Sequence, residues 1–424
     1  MIKRDYYLKR MMRNMWNGEV KVITGIRRCG KSVLLFDLFY QDLLSQGVQD
    51  DHIIKIELDQ RRYYKFRNPI TLCEYVEALI AEKKDEKFYL FIDEVQLTTK
   101  MIDQENGGIE VSIYDMLNEL KAYKNLDVYV TGSNSKGLSK DIATEFRGRA
   151  TQIRIYPLSF EEFYSYMGGD ERKALDSYML YGGMPRLLAL TDEKDKKDYL
   201  TSLYSELYVK DIVEHSGIER EDILNDILDF LASQISSLTN PTNIANALTS
   251  LKNENVNSTL VSNYVQHIID SFLVSMAKRY DVKGKTYFKY PNKYYYTDIG
   301  LRNARLNYRQ YDPGHIMENI IYNELLLRGY SVDVGVVTDR TGGANVQKEI
   351  DFVVNDIDKK IYIQSAFQMD TDKKESSERA SLILTKDFFK KIIVRMDIPH
   401  NFYDDSGIFH CNLIDLLLGR VSLF

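Results

Sequence analysis

Cysteine is scarce: the 424 residues hold three, Cys29, Cys73 and Cys411, far apart and without metal or disulfide spacing. A disulfide-stapled secreted scaffold and a zinc finger are thereby excluded, and a reducing interior is the simpler home. Long apolar runs are missing as well. No segment approaches the ~20 apolar residues that span a bilayer, and the opening MIKRDYYLKRMMRNMW carries charge throughout where a signal peptide would be apolar. The expectation is a soluble, cytoplasmic protein with no membrane partner. Charge of one sign is not in surplus either, with 62 acids against 56 bases and a formal charge of −6. That balance excludes indiscriminate coating of nucleic acid or anionic membrane, though not a local patch. Internal repeats and low-complexity segments are absent, and His215, His267 and His315 form no metal spacing.

What is present is an ordinary globular composition, 44% hydrophobic and 28% charged, in a chain long enough for about three domains. Tyr6, Tyr7, Met11 and Met15 have helical spacing, Asn17-Gly18 breaks it, and Val20 to Thr24 reads as a strand. A helix is expected from Lys31, a strand over 52–58, a helix over 71–83, an apolar strand over 88–92 and another over 128–131. Short apolar strands alternating with helices predict an α/β fold: a parallel sheet covered on both faces. Beyond about residue 160 the pattern turns helical, and after about 280 it becomes mixed. Residues 161–230 hold 17 acids and 8 bases, net −9, whereas residues 278–309 hold 9 bases and 2 acids, net +7. The whole-chain charge therefore conceals one basic segment.

Gly25-Ile26-Arg27-Arg28-Cys29-Gly30-Lys31-Ser32 fits G-x-x-x-x-G-K-[ST] and lies between a predicted strand and a predicted helix; these eight residues and Val33 are the expected nucleotide-binding set. That context is the one the phosphate-binding P-loop requires. Its glycines let backbone N–H groups turn towards phosphates, the helix N-terminus adds positive potential, Lys31 reaches the β- and γ-phosphates, and Ser32 ligates magnesium. The expected cofactors are thus ATP and Mg2+. Phe88 to Ile92 delivers Asp93, expected on the metal, and Glu94, expected to polarise an attacking water. Past the next strand, Asn134 or Ser133 is expected to bond the γ-phosphate or that water. Arg149, with Arg147 in reserve, is expected to stabilise the transferring phosphoryl group, in its own site or in a neighbour's, which makes a homo-oligomer an expected partner. A turn sequence at 132–135 and an arginine paired with Glu145 are the bland alternatives.

The motifs GIRRCGKS (25–32), FIDEVQ (91–96), VTGSNS (130–135), the FRGR-to-YPLSFEEF block (146–163), YGGMPRLL (181–188), KYYYTDIGLRNA (293–304) and KEIDFVV (348–354) together resemble the prokaryotic and archaeal-type AAA+ P-loop ATPases that carry a C-terminal domain of unknown function. The resemblance implies an ATPase core over 1–165 and a small helical lid over 166–215. In that lid, Arg186 would contact nucleotide or Gly182-Gly183 would form a hinge.

The remaining order suggests two modules. Helical stretches at 222–238, 242–251 and 259–272, followed by a basic segment, have the order of a winged helix over 216–305. Its third helix would bury Leu260, Tyr264, Ile268 and Phe272 and expose Ser262, Asn263, Gln266 and His267, types that read base edges. The wing would be 280–287. DNA through residues 259–293 is therefore an expected partner, and protein docking is the alternative. Residues 306–424 resemble the PD-(D/E)XK nuclease fold, with Glu318 on a helix and Asp351 on a strand. The triplet that should read E-x-K is Gln364-Ser365-Ala366. An amide is a poor magnesium ligand and no lysine follows, so a fold that has lost cleavage is expected. A metal-dependent nuclease regulated by ATP is the rival reading.

Overall fold

The computed structural model describes residues 2–104, 107–132, 150–289, 291–339 and 345–424. Two compact units result, Met1–Tyr156 and Pro157–Phe424. Among the described residues no helix is long and apolar enough to cross a membrane.

In the first unit, strands β1 (Val20–Thr24), β2 (Ile53–Glu57), β3 (Phe88–Asp93), β4 (Leu126–Gly132) and β5 (Ala150–Arg154) form an all-parallel sheet in the order β2-β3-β4-β1-β5. Every residue of β1, β3 and β4 is buried, as a sheet covered on both faces demands, and this is why these strands read as continuous apolar runs. Helices α1 (Asp5–Arg13), α2 (Val33–Phe39 continuing as Tyr40–Ser45), α3 (Pro69–Ile80) and α4 (Ile113–Leu120) accompany it. Helix α3 starts two residues before the expected Thr71 because the Asn68 side chain accepts from the Ile70 and Thr71 amides at 3.0 and 3.4 Å, and Pro69 fits the first helical turn. In α1 only Tyr7 and Met11 of the expected face are buried; Tyr6 is exposed and the helix ends before Met15.

The second unit begins with helices, among them α5 (Glu171–Tyr181), α6 (Glu221–Ser233), α7 (Pro241–Lys252) and α8 (Ser258–Asp270). An antiparallel pair follows, β6 (Val274–Ala277) with β9 (Lys293–Tyr296). The hairpin between them, β7 (Arg279–Asp281) and β8 (Thr286–Tyr287), covers the stretch expected as a wing, and Asp281 accepts from the Lys283 and Gly284 amides at 3.0 and 2.8 Å to close it. Strand β7 also pairs with β10 (Ser331–Asp339), so the hairpin is the edge of an eight-stranded sheet. That sheet continues through β11 (Val346–Asp356), β12 (Lys359–Ala366), β13 (Lys390–Arg395), β15 (Phe409–Asn412) and β14 (Phe402–Tyr403). Helices α9 (Ile299–Arg305), α10 (Pro313–Leu327) and α11 (Asp372–Ile383) complete the parts used below.

Two expectations shift. Of the residues expected to be buried here, Tyr264, Ile268 and Phe272 are, whereas Leu260 is only half-buried and Val261 and Val265 of α8 are buried in addition. The basic segment also puts fewer charges on the surface than its count suggests, because Lys293 and Arg302 are buried and Arg305 pairs with Asp229.

YGGMPRLL and KYYYTDIGLRNA, remote in sequence, meet in this unit. Asp298 caps α9 by accepting from Leu301 N at 3.1 Å and also accepts from Gly183 N at 2.7 Å. Burial pushes its carboxyl up to about 6, against those amide hydrogen bonds. A Cβ on Gly300 would lie 1.8 Å from the Tyr181 carbonyl oxygen. The glycines thus serve a close approach of helix ends. Arg186 is exposed, its guanidinium 5.4 Å from the Tyr199 ring centroid. Gly300→Ala is expected to destabilise this unit by at least about 1–3 kcal/mol, read as a lower midpoint of thermal unfolding.

Candidate functional site

The loop after β1 is shaped by backbone geometry that its sequence anticipates. Gly25 has φ +150°, and a Cβ there would sit 2.3 Å from the Ile155 carbonyl oxygen, so only glycine fits. Arg28 and Gly30 also take positive φ, 61° and 99°. Arg4, buried, donates to the carbonyls of Cys29 at 3.1 Å and Tyr156 at 2.8 Å, tying the loop to the end of the sheet. The Lys31 ammonium lies across the loop mouth, donating to the Gly25 and Ile26 carbonyls at 3.1 and 3.0 Å.

The carboxylates come from the end of β3. Asp93 is buried and accepts hydrogen bonds from the hydroxyls of Thr131, on neighbouring β4, and Ser32. Burial raises its carboxyl above the ordinary value while those two hydroxyls pull it down. Glu94 turns away from the strand in a left-handed conformation, φ 54°, with its amide donating to Thr131 Oγ1 at 3.1 Å and its carboxylate on the Gln96 amide. Thr131 therefore links the two acids. The parallel register places this residue beside Asp93, a relation between strands that the sequence does not display. Lys31 and Ser32, in the loop and helix start after β1, and Asp93 and Glu94, at the end of β3, lie at the same end of the sheet, with Ser32 bonded to Asp93. Ser133, Asn134, Arg147 and Arg149 lie outside the described residues. Near the start of the same strands, away from the loop, Lys21 on β1 forms a buried ion pair with Asp127 on β4, which also accepts from Trp16 N at 3.1 Å and the Tyr129 hydroxyl at 2.9 Å. Neither Arg4 nor this pair is announced by a local motif.

Comparison with known proteins places this geometry. Residues 17–164 match the AAA domain family, and residues 172–312 match a domain of unknown function, DUF8612. An uncharacterized protein of Haemophilus influenzae is 34% identical over 417 residues, covering 96% of both chains. The chain belongs to the same family as that protein. An uncharacterized protein of Methanocaldococcus jannaschii is 27% identical over 89% of this chain and 80% of its own. Among solved structures, AMPPCP-bound DnaA from Aquifex aeolicus aligns with 62% of this chain and 92% of its own at 15% identity, with a TM-score of 0.30. The first unit is an AAA-type P-loop domain.

A second polar centre lies in the second unit, and one of its members was not expected. Glu318 on α10 and Asp351 on β11 converge, and between them stands Lys293 from β9, its Nζ 2.8 Å from Glu318, 2.6 Å from Glu349 and 3.2 Å from Asp351. Tyr295 donates to Glu318 at 2.7 Å. Gln364 and Ser365 turn inwards on the same strand pair, with Asp351 N donating to Gln364 Oε1 at 3.3 Å and Ser365 N to Asp351 Oδ2 at 2.9 Å. Burial disfavours the Lys293 ammonium, but the carboxylates of Glu318, Asp351 and Glu349 outweigh it and hold it charged. Burial pushes Glu318 up to about 8 despite Lys293. One ammonium among three carboxylates leaves an excess of negative charge in a buried place. The centre borders a cleft of about 530 Å³. A lysine is thus present after all, supplied by a strand 73 residues ahead of position 366 and not by the triplet itself.

Proposed function

We propose that the protein binds Mg·ATP in its first unit and hydrolyses it, and that turnover drives conformational change of the attached C-terminal modules, with DNA as their target. The single observation that carries the reading is the convergence of Lys31, Ser32, Asp93 and Glu94 on one loop shaped to glycine geometry.

The donor set fits both cofactors. A hydroxyl and a carboxylate, Ser32 and Asp93, already hydrogen-bonded to each other, are oxygen ligands of the kind magnesium takes, and the absence of any Cβ at Gly25 lets the loop pack against the Ile155 carbonyl in the turned shape that a phosphate-binding loop needs. The loop residues Gly25, Ile26, Arg27, Arg28, Cys29, Gly30, Lys31, Ser32 and Val33 would hold the nucleotide. Bound magnesium supplies neutralisation of phosphate charge. Lys31 exchanges its two carbonyl partners for phosphate oxygens. Glu94, fixed by its amide to Thr131, orients a water and takes its proton. The roles kept for Asn134 and Arg149 rest on the sequence: Asn134 would bond the γ-phosphate or that water, and Arg149, of the same chain or a neighbouring copy, would stabilise the transferring phosphoryl group.

In the second unit, helices α6 to α8 with the β6–β9 pair support a winged-helix module, and the helix α10 with the sheet β10 to β13 supports a nuclease-like one. With the Lys293 ammonium already bonded to Glu318 and Asp351, and with Gln364 and Ala366 in place of a ligand and a lysine, this module is read as inactive in cleavage. Phosphate release measured against protein concentration and added DNA tests the scheme. An arginine supplied by a neighbour predicts specific activity that rises with concentration, and a DNA target predicts stimulation by DNA. Activity indifferent to DNA would favour a switch that acts on a protein instead.

A further inference from the structure

A second cleft in the C-terminal unit, about 350 Å³, lies between helix α8 and the segment from Met276 to Tyr294. At its floor is Asn292, only 2% exposed. Its amide nitrogen is committed, donating to the Lys289 carbonyl at 3.2 Å and the Met276 sulfur at 3.3 Å, which fixes which end of the amide is which. Its Oδ1 is buried and accepts no hydrogen bond. A buried acceptor left open is costly, and it calls for a ligand that brings a donor. The walls say which kind. Phe288 lines the cleft with the Arg279 guanidinium 5.1 Å from its ring centroid, while the exposed lysines Lys278 and Lys289 and the polar Ser262 and Gln266 of α8 border it. Aromatic surface, cations at the rim and one unsatisfied acceptor are the complement of a nucleotide: a flat base, an anionic phosphate and an exocyclic amino group. The volume, at the small end of ligand cavities of ~300–1,000 Å³, admits one nucleotide and not a duplex edge.

We infer that this cleft receives one nucleotide of a single-stranded DNA segment, with the base against Phe288, its exocyclic amine donating to Asn292 Oδ1, and the phosphates on Lys278 and Lys289. The inference rests on the reading that the C-terminal unit contacts DNA and adds to it a position and a base preference. Adenine, cytosine and guanine carry an exocyclic amine; thymine does not.

The test is fluorescence anisotropy with the full chain and labelled dA12, dC12, dT12 and a mixed-sequence duplex, with unlabelled AMP as competitor. The expected result is that dA12 and dC12 bind on the order of tenfold tighter than dT12. Phe288→Ala should weaken dA12 by a similar factor, and Lys278→Glu should weaken every strand and flatten the salt dependence. Asn292→Ala should erase the difference between dA12 and dT12. Because Asn292 also ties the backbone, Phe288→Ala and Lys278→Glu, judged folded by an unchanged unfolding midpoint, carry the test if that variant fails to fold. Equal binding of dA12 and dT12 overturns the inference. Tight duplex binding without base preference overturns the cleft assignment while leaving the DNA reading standing. Binding of dA12 that excess AMP does not displace overturns the one-nucleotide cleft, and no binding of any strand or duplex overturns both readings.

Discussion

Glu94→Gln is expected to leave Mg·ATP bound and to slow phosphate release by ~10²–10⁴-fold, the usual contribution of a positioned general base. The substitution is close to isosteric and preserves the backbone hydrogen bond from residue 94 to Thr131, which holds the residue in its left-handed conformation. It removes only the ability to take a proton. Filter-retained or fluorescent nucleotide measures binding, and phosphate release measures turnover. Loss of both together would show that Glu94 holds the loop and is not the base. Unchanged turnover would remove it from the chemistry altogether.

Lys293→Met is the largest expected effect on stability. The side chain is 4% exposed and faces Glu318 and Asp351, each 9% exposed, with Glu349 at 31%. Methionine fills comparable volume without charge. Three carboxylates would then crowd one another with no counter-ion, a cost of about 3–5 kcal/mol when one partner of a buried pair is removed. For a unit of this size that lowers the unfolding midpoint by on the order of 10 °C. Adding Glu318→Gln and Asp351→Asn to Lys293→Met should recover much of the loss, since the stranded charges go with it. A single variant that melts within about 2 °C of the parent would mean that the three carboxylates do not depend on this ammonium.

The sequence made the nucleotide loop legible because its chemistry is local. Gly25, Gly30, Lys31 and Ser32 lie within eight residues, and the φ values that glycine alone tolerates are set by that short turn. The parallel sheet was legible for a similar reason, as strands buried on both faces show as unbroken apolar runs. What escaped reading depends on strand order. Thr131 matters because β3 and β4 are neighbours, and Arg4 because the chain's first helix is followed by a strand next to the one ending near Tyr156. Lys293 was visible only as one of nine bases in a segment of high positive charge, and it is buried, as Arg302 is. Leu260 was the one wrong member of the expected stripe on α8, because Val261 and Val265 fit a helical spacing with Tyr264 and Ile268 equally well. The motifs at 181 and 298 look like separate signals in the chain and are one contact between helix ends in the fold.

Magnesium-dependent phosphate release from ATP, followed side by side in the parent protein and in Lys31→Ala, tests the central claim most directly. The account predicts turnover in the parent that chelation of magnesium abolishes, and neither nucleotide binding nor turnover in Lys31→Ala, whose fold should be unchanged by circular dichroism. A parent that binds no ATP, or a Lys31→Ala protein that binds and hydrolyses it as the parent does, would contradict the account.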